Sequence, residues 1–330
     1  MSSSVYKTIN NIGDEITVPW TVADDVAYFS RPDTDECRAY YDENGYVVIR
    51  GLVPRELCDA ANDAFDAECL SSDRYIYRQT TARPERNRFS DHGLILNPIL
   101  NVQSVDPRFF GRFRAEAEAV FTAPGMQAAC KALFGEPGKL VQSMYFHGNP
   151  STPPHQDTYY LDSERAGAMS AAWIATEDIA PGAGRFFICP RSHRIDTEKG
   201  APDFDAEGDD RYLDYVVDVI RNHQLRFSAP ALAKGDVLFW NSRTIHGSLP
   251  TTQPEISRRS FTAHWIPEST RFMQFRSRIK PMTYDRVRGV QISRPKDQAA
   301  LVNRMMLFGE VSFPRTFAAA KTIAMKALVR

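Results

Sequence analysis

The chain has 330 residues, 43% of them apolar, with 40 basic against 41 acidic side chains for a formal net charge of −1. That is apolar material enough for one large domain, with no basic excess to call for nucleic acid and no apolar run near the roughly 20 residues that span a bilayer. The start, MSSSVYKTINNIGDEITVPW, lacks a basic stretch followed by an apolar one, so no secretion signal is read and a cytoplasmic location is expected.

In chain order, residues 36–50 (ECRAYYDENGYVVIR) read as a short helix, an Asn-Gly turn and a β-branched strand. RELCDAANDAFDAECL (55–70) has helical apolar spacing, with Pro54 at its start. Residues 71–105 are polar and irregular and read as a loop region over a site. A helix is expected over 110–134, stopped by Gly135. From about residue 139 short β-rich segments follow one another between Gly and Pro: KLVQSMYFHG, SAAWIATEDI, RFFICP, DVLFWNS and SRRSFTAHWIP. Such a series suggests a sandwich or barrel. An insertion at 195–225 interrupts it, with acidic loops and a helix expected at DRYLDYVVDVIRN.

After 270 the pattern reads as mixed helix and coil, ending in FPRTFAAAKTIAMKALVR. Residues 271–330 carry 13 Lys or Arg against three acids, a local excess of ten positive charges. Such a segment could contact an acidic partner or surface, or pair with the acidic body of its own chain. The whole is read as a single domain, 1–330. It has a helical and mixed part (1–138), a β core (139–268) and a basic helical C-terminal extension (269–330). Cys37, Cys58, Cys69, Cys130 and Cys189 are scattered with no CxxC pair, so buried free thiols are expected.

The sharpest feature is His155-Gln156-Asp157, followed 91 residues later by His246. Residues i and i+2 of an extended segment share a face, so His155 and Asp157 can meet on one ion. His246 completes two histidines and one carboxylate with open coordination positions, the pattern of non-haem iron(II) oxygenases. Open positions matter because such an ion must hold both a cosubstrate and O2. Pro153-Pro154 keeps the approach extended, and Gly235-Asp236 reads as a turn into the strand that ends at His246. Among the other histidines, His92 and His223 read as surface residues, His147 and His193 as candidates for lining a pocket, and His264 as a hydrogen-bonded core residue.

A 2-oxoglutarate cosubstrate needs a buried cation for its distal carboxylate, and the planar fork of arginine suits that task. In SRRSFTAHW, alternation puts Arg258, Ser260, Thr262 and His264 on one face and Arg259, Phe261 and Ala263 on the other. Arg258 with Ser260 is the preferred clamp and Arg259 the fallback. Ser248, two residues after His246, can point the same way.

Together these residues resemble the phytanoyl-CoA dioxygenase family. The likeness runs through VQSMYF, PPHQDTYYL, AAWIATEDI, PGAGRFFICPRSH and HGS with its later arginine, and through YYDENGYVVIRGLVPRELC near the N-terminus. The last 60 residues show no match. The resemblance implies a mainly β fold with flanking helices, built on a double-stranded β-helix (jelly-roll, cupin-like) core. It implies Fe(II), 2-oxoglutarate and O2, and hydroxylation of an unactivated C–H bond of a small molecule with succinate and CO2 as co-products. His155, Asp157 and His246 match the family's iron ligands. Trp173 matches a tryptophan beside the cosubstrate, Ser248 a serine that hydrogen-bonds it and Arg258 its arginine, while Gln142 falls on the strand leading to the metal.

Departures are an Arg258 one residue later than usual, Ala183-Gly184 in place of Asn-Gly, and Arg185 and Arg191 in place of neutral residues. Those two arginines hint at an anionic substrate. Tyr145, Thr158, Tyr159, Arg185 and Trp240 are the substrate-side candidates, and 71–105 and 195–225 the candidate lids. An alanine at position 157 would imply halogenation in related enzymes, so Asp157 argues against it. The competing readings are a cupin-type metal enzyme without 2-oxoglutarate and a non-catalytic binding protein on the same fold.

Overall fold

The strand Ser260–Pro267 sends alternate side chains to two different layers, and the rest of the architecture follows from that split. In the computed structural model, which describes residues 5–25, 28–197, 200–202, 210–275 and 278–317, this strand lies inside a large sheet. The order is Tyr284–Val287, Val290–Ser293, Gly138–Phe146, Ser260–Pro267, Ser170–Ala175, Val237–Asn241, Tyr46–Ile49. Ile99–Leu100 also pairs with Gly138–Phe146. Pairing is antiparallel except where Val290–Ser293 joins Gly138–Phe146 in parallel.

Facing it is a smaller sheet of Phe186–Ile188 and His246–Ser248, extended by a bridge from His246 to His155. The chain crosses between the layers in turn: 170–175 in the large sheet, 186–188 in the small, 237–241 large, 246–248 small, 260–267 large. That alternation is the jelly-roll core. The outer face of the large sheet buries Phe261, Ala263, Trp265, Tyr145 and Phe239 against helices Arg55–Phe65, Pro107–Phe121 and Pro124–Phe134. Each large apolar side chain removed from water there contributes about 1.5–3 kcal/mol. Between the sheets lie Trp173, Leu238, Trp240, Phe186 and Ile188. The inserted helix Asp210–Asn222 covers the outside of the small sheet, with Tyr212, Val216 and Ile220 packed on Phe187, Cys189 and Ile245.

Local chemistry explains the element boundaries. Helix Asp35–Asn44 begins where the Thr34 side chain accepts from the Cys37 N–H and ends at Gly45, φ 77°. The helix expected over 110–134 is two helices, because Pro124 disfavours helical backbone at Ala123 and starts a new turn. Gly135 ends the second, as expected. The stretch 55–70 is helical to Phe65 and then widens into a π-turn, Asp66–Leu70.

The largest difference lies after 269. The part read as a basic helical extension is mostly strand up to Ser293, with a described helix at Leu301–Ser312. Arg288-Gly289, both at positive φ, make the tight turn between Tyr284–Val287 and Val290–Ser293, and alternation in VQIS buries Val290 and Ile292. The basic residues are partly spent on acids of the same chain, Arg271 on Glu164 and Arg294 on Asp285 and Glu118. The acidic stretch 203–209 and residues 318–330 of the tail lie outside the described residues. No helix among the described residues is long and apolar enough to cross a membrane, and all five cysteines are buried and free.

Asp236, in the expected turn, fastens the edge strand 46–49 to the core. Its carboxylate accepts from the Gly51 N–H at 2.8 Å, the Ala233 N–H at 2.9 Å and Arg50 Nη1 at 2.7 Å. Removing it strands two N–H groups and takes the nearest carboxylate from the half-buried Arg50 guanidinium, which keeps only the Ala231 carbonyl and Asp25 at 3.7 Å. Asp236→Ala is therefore expected to cost about 3 kcal/mol in urea unfolding, whereas truncating the exposed Lys7–Glu15 pair should cost under about 1 kcal/mol.

Candidate metal and carboxylate site

His155 and His246 face each other across a close backbone pair, each N–H donating to the other's carbonyl at 3.0 Å. Pairing at that register puts both imidazoles on the inner side of the small sheet. Each ring is then locked from behind: His155 Nδ1 lies 2.9 Å from the Pro153 carbonyl and His246 Nδ1 2.9 Å from that of Thr244. An Nδ1–H spent on a carbonyl leaves the Nε2 lone pair free for a metal.

Gln156 is extended, φ −115° and ψ 135°, so Asp157, the first residue of a 3-10 turn, returns to the face of His155. The Gln156 side chain goes the other way, accepting from Thr197 Oγ1 at 2.6 Å. Asp157 Oδ1 stands 3.8 Å from His155 Nε2 and 3.6 Å from His246 Nε2. The ligand atoms of the three residues lie within 4.8 Å of one another, the one such cluster found among the described residues.

The other carboxylate oxygen is held apart from this cluster. Asp157 Oδ2 accepts from Trp240 Nε1 at 2.9 Å and lies 3.6 Å from His264 Nε2. Burial works against an ionised Asp157, but the surrounding imidazoles of His246, His264 and His155 hold its carboxyl below the ordinary range. Burial pushes the His246 imidazole down to about 3, so it is neutral at pH 7. Two imidazoles and one carboxylate, with one carboxylate oxygen fixed by an indole, form a donor set that fits a divalent transition metal with open positions. Such a set suits iron(II).

A cavity of about 60 Å³ connects the triad with Arg258, Ser248, Trp173, Thr262, Phe186, Met144 and Phe146. Arg258 is 1% exposed. It donates from Nη1 to the Gly184 carbonyl at 3.0 Å, its Nε has no partner, and no carboxylate pairs with it among the described residues. Burial alone lowers it to about 9, which leaves it cationic at neutral pH. A buried guanidinium with open donors, flanked by the rings of Phe146 and Trp173, fits the carboxylate of a small ligand. Ser248 Oγ accepts from the Thr152 N–H at 2.7 Å, which leaves its hydroxyl proton to donate into the cavity. Gly184 sits at φ 77°, and a side chain there would collide with Asn149, so the Ala-Gly turn keeps the feature the backbone needs.

The remaining candidates divide. Arg259 points to the outer face and pairs with Asp66 at 2.9 Å. Trp240 is in the site, but as the partner of Asp157. Ser260 is fully buried and its hydroxyl donates to the Arg258 carbonyl. Gln142 is in register with His264 and lines a larger neighbouring cavity. Tyr145 lies on the outer face in the helix-packed core, its hydroxyl on Asn62. Thr158 hydrogen-bonds Asp162, and Tyr159 stacks on Tyr212 at 3.6 Å. Arg185 is buried and donates to the carbonyls of Pro19, Trp20 and Ile179, which makes it a tie between loops. Arg191 is on the surface with Glu43.

His147 accepts from the Ile95 N–H, and His193 lies beside Asp42. Neither reaches the cavity lining. His264 has a larger part than a core histidine, since its ring lines the cavity beside Asp157. Met144, Phe146 and Thr262 were legible in principle, because period-2 alternation places them with Gln142 and Arg258. Phe186 and Thr152 come from other segments, and no local signal marks them.

The sequence model of the phytanoyl-CoA dioxygenase family matches residues 41–260, two thirds of the chain. This chain belongs to the phytanoyl-CoA dioxygenase family. Members of that family depend on Fe(II) and 2-oxoglutarate. The zebrafish (Danio rerio) phytanoyl-CoA dioxygenase domain-containing protein 1 is 25% identical over 282 residues, covering 72% of this chain and 94% of that protein. The human peroxisomal phytanoyl-CoA dioxygenase is 24% identical over 228 residues, covering 65% of this chain and 63% of the human one. Among solved structures, the epimerase SnoN, in complex with Fe3+, alpha ketoglutarate and nogalamycin RO, superimposes with TM-score 0.54 at 18% identity, over 80% of this chain and 96% of its own. EctD from S. alaskensis with bound Fe gives 0.52 at 15%, over 85% and 90%. At these identities the structural likeness establishes the fold.

Because Trp240 fixes the Asp157 oxygen that faces away from the two histidines, its indole N–H should govern how well the triad holds metal. Trp240→Phe is expected to weaken Fe(II) or Co(II) binding about tenfold. The check is metal titration of protein whose far-ultraviolet circular dichroism remains native.

Proposed function

We propose that the protein is an Fe(II)- and 2-oxoglutarate-dependent dioxygenase that hydroxylates an unactivated C–H bond of a small molecule. The observation that carries this reading is Arg258, a buried guanidinium with no carboxylate partner among the described residues, in the same cavity as the His155, Asp157 and His246 cluster. A metal enzyme that used O2 without a cosubstrate would have no use for it. In this reading His155, Asp157 and His246 hold the iron, Arg258 pairs with the distal carboxylate of 2-oxoglutarate, and Ser248 donates a hydrogen bond to it. Bound there, the metal, 2-oxoglutarate and O2 supply the oxidant for the C–H bond, with succinate and CO2 as co-products.

The chain's own part is orientation and exclusion of water. Trp240 and His264 fix the Asp157 carboxylate, the carbonyls of Pro153 and Thr244 fix the two rings, and Trp173, Phe186, Phe146 and Met144 form an apolar wall. Low polarity around the guanidinium strengthens its attraction for an anion.

Anaerobic addition of Fe(II) and 2-oxoglutarate should give the visible charge-transfer band of an iron-bound 2-oxo acid. His246→Ala should abolish it. Arg258→Gln should raise the 2-oxoglutarate concentration needed for half the band at least roughly tenfold, since a charge-assisted pair is worth about 1.5–3 kcal/mol. Arg259→Gln should leave that concentration within about twofold, as its charge faces Asp66 on the outer side. A full band in His246→Ala would sink the assignment.

A further inference from the structure

A second cavity, of about 620 Å³, adjoins the metal site. Two alternations join them. On Gly138–Phe146, Gln142 lines the large cavity, while Met144 and Phe146, on the same face, line the small one. In the segment 71–105, Tyr77 lines the large cavity and Gln79 the small one. The register pair Gln142 and His264 sits at the junction, where His264 Nε2 is 3.6 Å from Asp157 Oδ2. The volume is that of a chamber for one small organic molecule.

Its walls combine two chemistries. Tyr75, Ile76, Tyr77, Phe109, Phe110 and Phe308 supply apolar surface. The charged lining is unbalanced, with six cations against two acids, Asp73 and Asp106, and Asp106 is already paired with Arg108 at 2.7 Å. Lys296 lies over the Tyr77 ring, and Arg304 donates to the carbonyls of Gln298 and Ala299. Three cations have no carboxylate partner among the described residues. Arg74 and Arg86 are exposed and lie over the rings of Phe109 and Tyr75. Lys280 is partly buried, and desolvation lowers its ammonium below the ordinary value. For the partly buried Lys280, a charge beside apolar surface is costly unless a ligand of opposite sign completes it, and the two exposed guanidinium groups add positive field that attracts such a ligand.

We propose that this cavity is the substrate chamber and that its occupant is a compact amphipathic anion. Its apolar body lies on the aromatic wall and its carboxylate or phosphate faces Lys280, Arg74 and Arg86. The inference rests on the oxygenase reading of the adjoining site. It also narrows that reading to a small free anion, since a volume of about 620 Å³ suits one small organic molecule rather than one carrying a nucleotide thioester. The anionic preference comes from residues of the 71–105 and post-270 segments, and Arg185 and Arg191 have no part in it.

The test is calorimetric titration of the full-length, metal-free protein with decanoate, decyl phosphate, decan-1-ol and decanoyl-CoA. At least one free anion should bind roughly tenfold or more tightly than the alcohol, and the tighter of the two identifies the headgroup. Lys280→Gln should weaken that anion about tenfold. Arg278→Gln, which removes an exposed charge two residues away that does not line the cavity, should change it less than about twofold. Arg74→Gln serves as the second variant if Lys280→Gln does not fold. Equal binding of the alcohol, an equal loss in Arg278→Gln, or tight binding by the CoA thioester alone would each overturn the proposal.

A second readout separates it from the oxygenase reading. With Fe(II) and 2-oxoglutarate under anaerobic conditions, the bound anion should shift the visible band. A band that forms but does not move would overturn the chamber as the substrate site. Anion binding with no band at all would overturn the oxygenase reading and leave the anion chamber standing.

Discussion

Two backbone hydrogen bonds between His155 and His246 set the geometry on which the site depends. They belong to the small sheet and join residues 91 positions apart in the chain. Because pairing is antiparallel and in register, both rings emerge on the same side, and the carbonyls two residues back turn each Nε2 inward. A slip of one residue would move a ring to the outer face, where the inserted helix packs. Folding of the core and assembly of the His155, Asp157 and His246 cluster are therefore one event.

The large sheet does the complementary work. Its inner face is polar where the chain runs through Arg258, Thr262 and His264, and its outer face is apolar where Phe261, Ala263 and Trp265 meet the helices. A polar inward face is costly in an ordinary sandwich. Here it is offset in two ways. Trp240 and His264 lie beside Asp157, and Arg258 is left with unused donors that a carboxylate ligand would satisfy. The unmet hydrogen-bonding capacity of buried Arg258 sets it apart from buried Arg185, which spends its donors on backbone carbonyls.

Segments outside the core give the site its surroundings. The irregular 71–105 stretch and the residues after 270 meet over the large cavity, with Tyr77 donating to Glu310 and Gln298 accepting and donating locally around Lys296 and Arg304. The described residues of the basic C-terminal part are thus built into the molecule as a strand hairpin and a cavity wall. The insertion 195–225 takes a different role, since its described helix closes the outside of the small sheet through Tyr212, Val216 and Ile220.

The sequence by itself determined the elements whose signal is local. The HxD spacing brings His155 and Asp157 to one face because one extended residue separates them. Alternation in SRRSFTAHW separates Arg258 from Arg259, and Thr34, Gly45, Pro124 and Gly135 punctuate the helices through their own backbone preferences. Tertiary structure decided what depends on partners far along the chain. It put Tyr145 and Arg259 on the outer face, tied Arg185 to the loop at 19–20, and set Trp240 against Asp157. It also turned the tail's alternating VQIS into an edge strand beside Leu140. Short apolar runs and lone arginines carry no local mark of which face or partner they will meet, and only packing of distant strands supplies it.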